Sequence, residues 1–182
     1  MACAFENSGL VGGSRWLYRR LYVLDRLLMT SPRTSSHMDR ALELARAAAD
    51  LGEVPVGAVV VGPDGVVIAE AHNLTRARKD PTAHAEILAI QQAARMLDSE
   101  RLTDCDLYVT LEPCPMCAAA ISFARVRRLY YGAADPKSGG VETGPRVFSH
   151  PTCHHVPEVY PGLAEAESRA LLETFFAALR DG

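Results

Sequence analysis

After residue 53 the chain alternates short apolar runs with stretches of helical period, and that alternation limits the fold more than any other feature of the sequence. "VPVGAVVV" (54–61) is continuously apolar and rich in valine, which suits a strand buried on both faces. "GPDG" (62–65) is a turn, and "VVIAEA" (66–71) returns as its hairpin partner. After a polar loop, "HNLTRARKDPT" (72–82), a helix is expected from Ala83 to Leu97, with Ile87, Ile90, Ala94 and Leu97 on one stripe. "DLYVTL" (106–111) reads as a strand that Pro113 stops, and Pro115 suits the first turn of a helix running to Ala124. "RLYYGA" (128–133) and "HVPEVY" (155–160) are further strands, separated by a long irregular stretch, and "LAEAESRALLETFFAALR" (163–180) is a closing helix. An earlier helix, "SSHMDRALELARAAADLG" (35–52), is capped by Ser36 or Asp39 and ended by Gly52. The order predicts an α/β fold, with helices on both faces of a sheet that is largely parallel after the opening hairpin.

Residues 1–37 differ from the rest. They are rich in arginine and serine, and Arg19, Arg20, Asp25 and Arg26 interrupt their apolar run, so it fails as a signal-peptide core. We read 1–37 as an N-terminal extension of poor order, upstream of a start at Met29 or Met38, with an amphipathic targeting helix as the other reading; residues 38–182 form one domain. No run approaches the ~18 apolar residues of a membrane span. Five cysteines, Cys3, Cys105, Cys114, Cys117 and Cys153, are an odd number and argue against a disulfide framework, so a reducing cytoplasm is expected. The net charge of −3 announces no nucleic-acid binder, although "RARK" (76–79) and "RVRR" (125–128) are local basic clusters.

Two segments carry the chemistry. "PTAHAEILAI" holds His84 and Glu86, and "LEPCPMCAAA" holds Cys114 and Cys117; each opens a helix. A spacing of three puts both cysteines on one side of a first helical turn, where the helix dipole favours thiolate. With His84 they make three zinc ligands and leave a tetrahedral position for water, whose pKa zinc lowers to about 7. Glu86, two residues from His84, faces another way and reads as the acid/base beside that water. The competing reading is a closed structural site with Cys105, Cys153, His154 or His155 as fourth ligand; a lone CxxC weighs against it, because structural sites usually carry two close pairs.

"HAE" with "PCPMC" resembles the H-x-E…P-C-x-x-C signature of zinc-dependent nucleobase deaminases, a signature that is itself a standard example. Across 38–180, "EVPVGAVVV", "DPTAHAEI", "LYVTLEPCPMCAAAI", "YYGAADPKSGG" and "LLETFF" resemble the bacterial tRNA-specific adenosine deaminases. That resemblance implies a three-layer α/β/α sandwich with a mixed five-stranded sheet, a homodimer, and conversion of the wobble adenosine of a tRNA anticodon to inosine in the cytoplasm. It also implies one zinc per chain on His84, Cys114 and Cys117, with Glu86 shuttling protons between the zinc-bound hydroxide, the base and the leaving ammonia. Asn73 corresponds to a position that hydrogen-bonds the base, Asp135 and Lys137 to a loop bordering the anticodon, and Phe175 and Phe176 to a C-terminal pair that either packs or meets RNA. The stretch 139–155 departs from the common family pattern, and His150 in it is a further candidate. Phosphate contacts would fall to Arg76, Arg78, Arg125 or Arg146. The alternatives are a deaminase of free guanine, cytosine or a nucleoside, and a non-catalytic binding module stabilised by zinc.

Overall fold

A computed structural model of the chain describes residues 37–181, and the expectations for residues 1–36, including the cap at Ser36, lie outside them. Helix α1 (His37–Asp50) turns Met38, Ala41, Leu42, Ala45 and Ala48 inward at helical spacing. Strands β1 (Gly57–Val61) and β2 (Val67–His72) form the hairpin. A four-residue helix, α2 (Thr75–Arg78), precedes α3 (Ala85–Leu97), β3 (Asp106–Leu111), α4 (Pro115–Ala124) and β4 (Arg128–Ala133). A 3-10 turn (Val147–Ser149), β5 (Glu158–Tyr160) and α5 (Glu165–Asp181) complete the described chain. No helix among the described residues is long and apolar enough to cross a membrane.

The five strands lie in the order β2-β1-β3-β4-β5. Strand β1 is antiparallel to both neighbours, whereas β3, β4 and β5 run parallel. The sheet is therefore mixed, as the resemblance implied, and its strands after the opening hairpin run parallel to one another, as the element order predicted. All five β1 residues are buried, as its unbroken apolar run foretold. Val59 and Val61 face α1 beside Met38 and Ala41, while Ala58 and Val60 face the larger core against Leu88, Ala89, Ala118 and Ile121 of α3 and α4. Helix α5 covers β4 on the side of α1. This close packing depends on Gly132, where a Cβ would stand 2.3 Å from Ser168 Oγ and 2.5 Å from the Thr110 carbonyl oxygen.

Three local expectations shift. Helix α3 begins at Ala85 rather than Ala83, because His84 is held in extended backbone at φ −72° and ψ 152°. Strand β5 is only three residues long, starting after Pro157, which has no N–H to give a ladder. Helix α2 lies within the expected polar loop. It forms because a distant carboxylate caps it: Glu53, fully buried, accepts the amide hydrogens of Arg76 and Ala77, each at 2.9 Å, and the Thr75 hydroxyl at 3.1 Å.

Candidate active site

Leu111 at the end of β3 pairs with Ala133 at the end of β4, and ligands of open α/β sheets gather beyond such carboxyl ends. The chain leaving β3 passes Glu112 and Pro113 and enters α4 through Cys114, its N-cap residue, with Pro115 in the first turn. His84 occupies the same cap position on α3. Cap positions usually carry Ser, Thr, Asp or Asn. Neither His84 nor Cys114 caps its helix with its side chain; the two turn toward each other instead.

His84 Nδ1 lies 3.7 Å from Cys114 Sγ and 3.5 Å from Cys117 Sγ. The three donor atoms fall within 4.8 Å of one another. Metal–nitrogen and metal–sulfur bonds of about 2.05 and 2.3 Å at a tetrahedral angle span about 3.6 Å, so the cluster has the dimensions of a zinc site. Hydrogen bonds from the Cys117 thiol and from His84 hold the Cys114 thiol well below the ordinary cysteine value. The same bond, with burial, pushes Cys117 up. The His84 ring is raised by its bond to Cys114.

Glu86, in the first turn of α3, is 4 % exposed and lies outside the three-donor cluster. Burial pushes its carboxyl above the ordinary glutamate value, while its own amide hydrogen and the His84 ring pull the other way. It stands beside the donor set without completing it. The other residues weighed as a fourth ligand are engaged elsewhere. Cys105 is buried in the core. Cys153 Sγ lies 3.2 Å from Ser122 Oγ, His155 Nε2 lies 2.8 Å from the Val126 carbonyl oxygen, and the His154 ring rests on Phe123.

Asn73 is buried, and its Oδ1 accepts the amide hydrogen of Ala85 at 3.0 Å, which starts α3 between His84 and Glu86. Asp135 Oδ1 accepts the amide hydrogens of Lys137 and Ser138, each at 3.0 Å, so this carboxylate shapes its own turn; Lys137 is exposed. Phe175 and Phe176 meet edge to face, and Phe175 lines a cavity of about 420 Å³ between α1 and α5 that contains none of His84, Glu86, Cys114 or Cys117. His150 is exposed. Sequence reasoning missed Glu112, which is 2 % exposed and binds the loop after β4. Its only signal was a charged residue directly after an apolar strand, and its partners lie 23 to 31 residues on.

The sequence matches the model of the MafB19-like deaminase family over residues 33–180. A tRNA-specific adenosine deaminase of Agrobacterium fabrum (strain C58 / ATCC 33970) is 62% identical over 143 residues, 79% of this chain and 93% of its own. One of Rickettsia typhi (strain ATCC VR-144 / Wilmington) is 46% identical over 144 residues, 79% of this chain and 97% of its own. A solved structure from a study of A-to-I editing by tRNA:A34 deaminases at the wobble position of transfer RNA has a TM-score of 0.73 at 62% identity, covering 75% of this chain and 98% of that one. A guanine deaminase of Bacillus subtilis has a TM-score of 0.55 at 33% identity, covering 82% of this chain and 95% of that one.

Proposed function

The chain belongs to the MafB19-like deaminase family and, within it, to the tRNA-specific adenosine deaminases, and from that membership we propose that it converts adenosine to inosine at the wobble position of a tRNA anticodon. One observation carries the reading: a three-donor cluster of His84, Cys114 and Cys117 with a buried carboxylate beside it, in a chain 62% identical to a curated tRNA deaminase over nearly all of that protein.

A zinc ion, one per chain, would be held by His84 Nδ1 and the sulfurs of Cys114 and Cys117 and would supply a Lewis acid and an activated water at neutral pH. Glu86 takes the proton of the attacking water and gives it to the ring nitrogen beside C6. It then carries a proton to the departing amino group, so that water is consumed and ammonia released. Asn73 orients the base: with Oδ1 committed to Ala85, its Nδ2 remains to donate to the base edge. Asp135 and Lys137 border the anticodon nucleotides from the loop after β4. A base can reach the site only if it is splayed out of a loop. Arg76 and Arg78, exposed on α2, with Arg125 and Arg146, meet phosphates.

A second copy of the chain pairs with the first through the outer face of α4, where Phe123 is 62% exposed. Action on tRNA supports a cytoplasmic location. Inosine formation on an anticodon stem-loop, measured beside ammonia release from free guanine, tests the reading; deamination of guanine with no action on RNA would assign the chain to free bases instead.

A further inference from the structure

The chain leaves β4 at Ala134 and returns to the sheet only at β5, and the first part of this connection lies on the turn that carries Cys114. Gly140 donates its amide hydrogen to the Pro113 carbonyl oxygen at 2.9 Å, and a Cβ at Gly140 would stand 2.6 Å from Pro115 N and 2.8 Å from the Cys114 carbonyl carbon. The Glu112 carboxylate holds this loop. Its Oε1 accepts the consecutive amide hydrogens of Val141, Glu142 and Thr143 at 3.1, 2.9 and 3.0 Å. Its Oε2 accepts the amide hydrogen of Asp135 at 3.1 Å. The Thr143 hydroxyl lies 3.0 Å from both carboxylate oxygens and 2.8 Å from the Asp135 carbonyl oxygen, closing the loop on itself. A carboxylate accepts only, and successive backbone amides form a concave anion site, so one buried side chain fixes both ends of the segment 135–143. At Gly139 a Cβ would stand 2.6 Å from Glu112 Cδ, so the loop closes around the carboxylate without room for a side chain there.

Glu112 is outside the three-donor cluster, and among the described residues its carboxylate bonds only the loop, to Asp135, Val141, Glu142 and Thr143. We infer that Glu112 is a positioning residue for substrate binding: by fastening the 135–143 loop to the Cys114 turn it sets the wall that the substrate base and its neighbours meet. In its effect on substrate this rests on the reading of the same site as an RNA deaminase; in its effect on the loop it does not.

The test compares wild type with Glu112→Gln, which keeps shape but puts an amide donor where only acceptors fit. Amide hydrogen exchange is read at 135 and 141–143, zinc content by elemental analysis, and kinetics on an anticodon stem-loop. Exchange at those amides should rise about tenfold or more while β1 and β3 stay protected, zinc should remain near one per chain, and KM should rise about tenfold with kcat nearly unchanged. Glu53→Gln removes an equally buried carboxylate from the other loop and should leave exchange at 141–143 unaltered. Should Glu112→Gln fail to fold, Thr143→Val removes one donor and should raise KM, and Thr143→Ser should restore it. Unaltered exchange at 141–143, or zinc and activity lost together in proportion to folded protein, would overturn the inference. If wild type forms no inosine, the proposed function fails, and the exchange and zinc measurements still decide the role of Glu112.

Discussion

The side-chain oxygen of Asn73 accepts the amide hydrogen of Ala85 at 3.0 Å, so a residue expected to meet the substrate also starts the helix that carries Glu86. The two roles separate by substitution. Asn73→Ala orphans a buried amide and should cost about 1–3 kcal/mol in urea unfolding. Asn73→Asp keeps the acceptor and loses the Nδ2 donor, so it should recover most of that stability while kcat/KM stays down by about tenfold or more. A fully active Asn73→Asp protein would leave Nδ2 without a role.

Removing the metal should cost both activity and stability. The cluster brings together His84 and Cys117, 33 residues apart in sequence, and binding to the folded state alone stabilises it. A chelator should lower the melting temperature and abolish activity, and added zinc should restore both. Cys117→Ser should behave like the chelated protein and fail to recover. A protein freed of metal that keeps full activity would contradict the assignment of these residues as ligands.

Ser168 is 1% exposed, and its hydroxyl has no hydrogen-bond partner among the described residues. Ser168→Ala should therefore leave stability unchanged or raise it by about 1 kcal/mol. Gly132→Ala, which drives a methyl group into Ser168 and the Thr110 carbonyl, should destabilise by about 1–3 kcal/mol. Thermal melts of the two variants measure both effects, and a clear loss on removing the Ser168 hydroxyl would show that it has a partner.

Much of the chain was legible because its cues are local. Strand β3 and helix α4 have the bounds read from "DLYVTL" and from Pro115, since proline and β-favouring residues act on their own neighbours. The meeting of His84 with Cys114 and Cys117 was also legible: the spacing of three pairs the two cysteines, and the resemblance to the deaminase signature brings His84 to them. What escaped depends on distant partners. Helix α2 is made by Glu53, 22 to 24 residues before it, and the order of 135–143 is made by Glu112. The second job of Asn73, as acceptor for Ala85, is equally invisible until the hairpin places it there.

The Glu53 carboxylate gives a stability effect with a definite pH sign. Burial alone would raise its carboxyl, but the amides of Ala77 and Arg76 and the Thr75 hydroxyl outweigh burial and hold it below the ordinary glutamate value. A carboxyl lowered by folding contributes stability that is full above its unfolded value and is lost as pH falls through the folded one. Wild type should therefore exceed Glu53→Gln in urea unfolding at neutral pH, and the gap should close in acid. A gap that widens in acid would reverse the sign and refute the argument.

The central claim is that this centre deaminates an RNA adenosine with Glu86 carrying the protons. The most direct measurement is inosine formation on an adenosine-bearing anticodon stem-loop by zinc-loaded wild type and Glu86→Gln, with zinc content determined in both. Zinc content should be equal in the two proteins, and the rate should be about 10²- to 10⁴-fold lower in the variant. Equal rates in the two proteins, or no inosine from wild type, would contradict it.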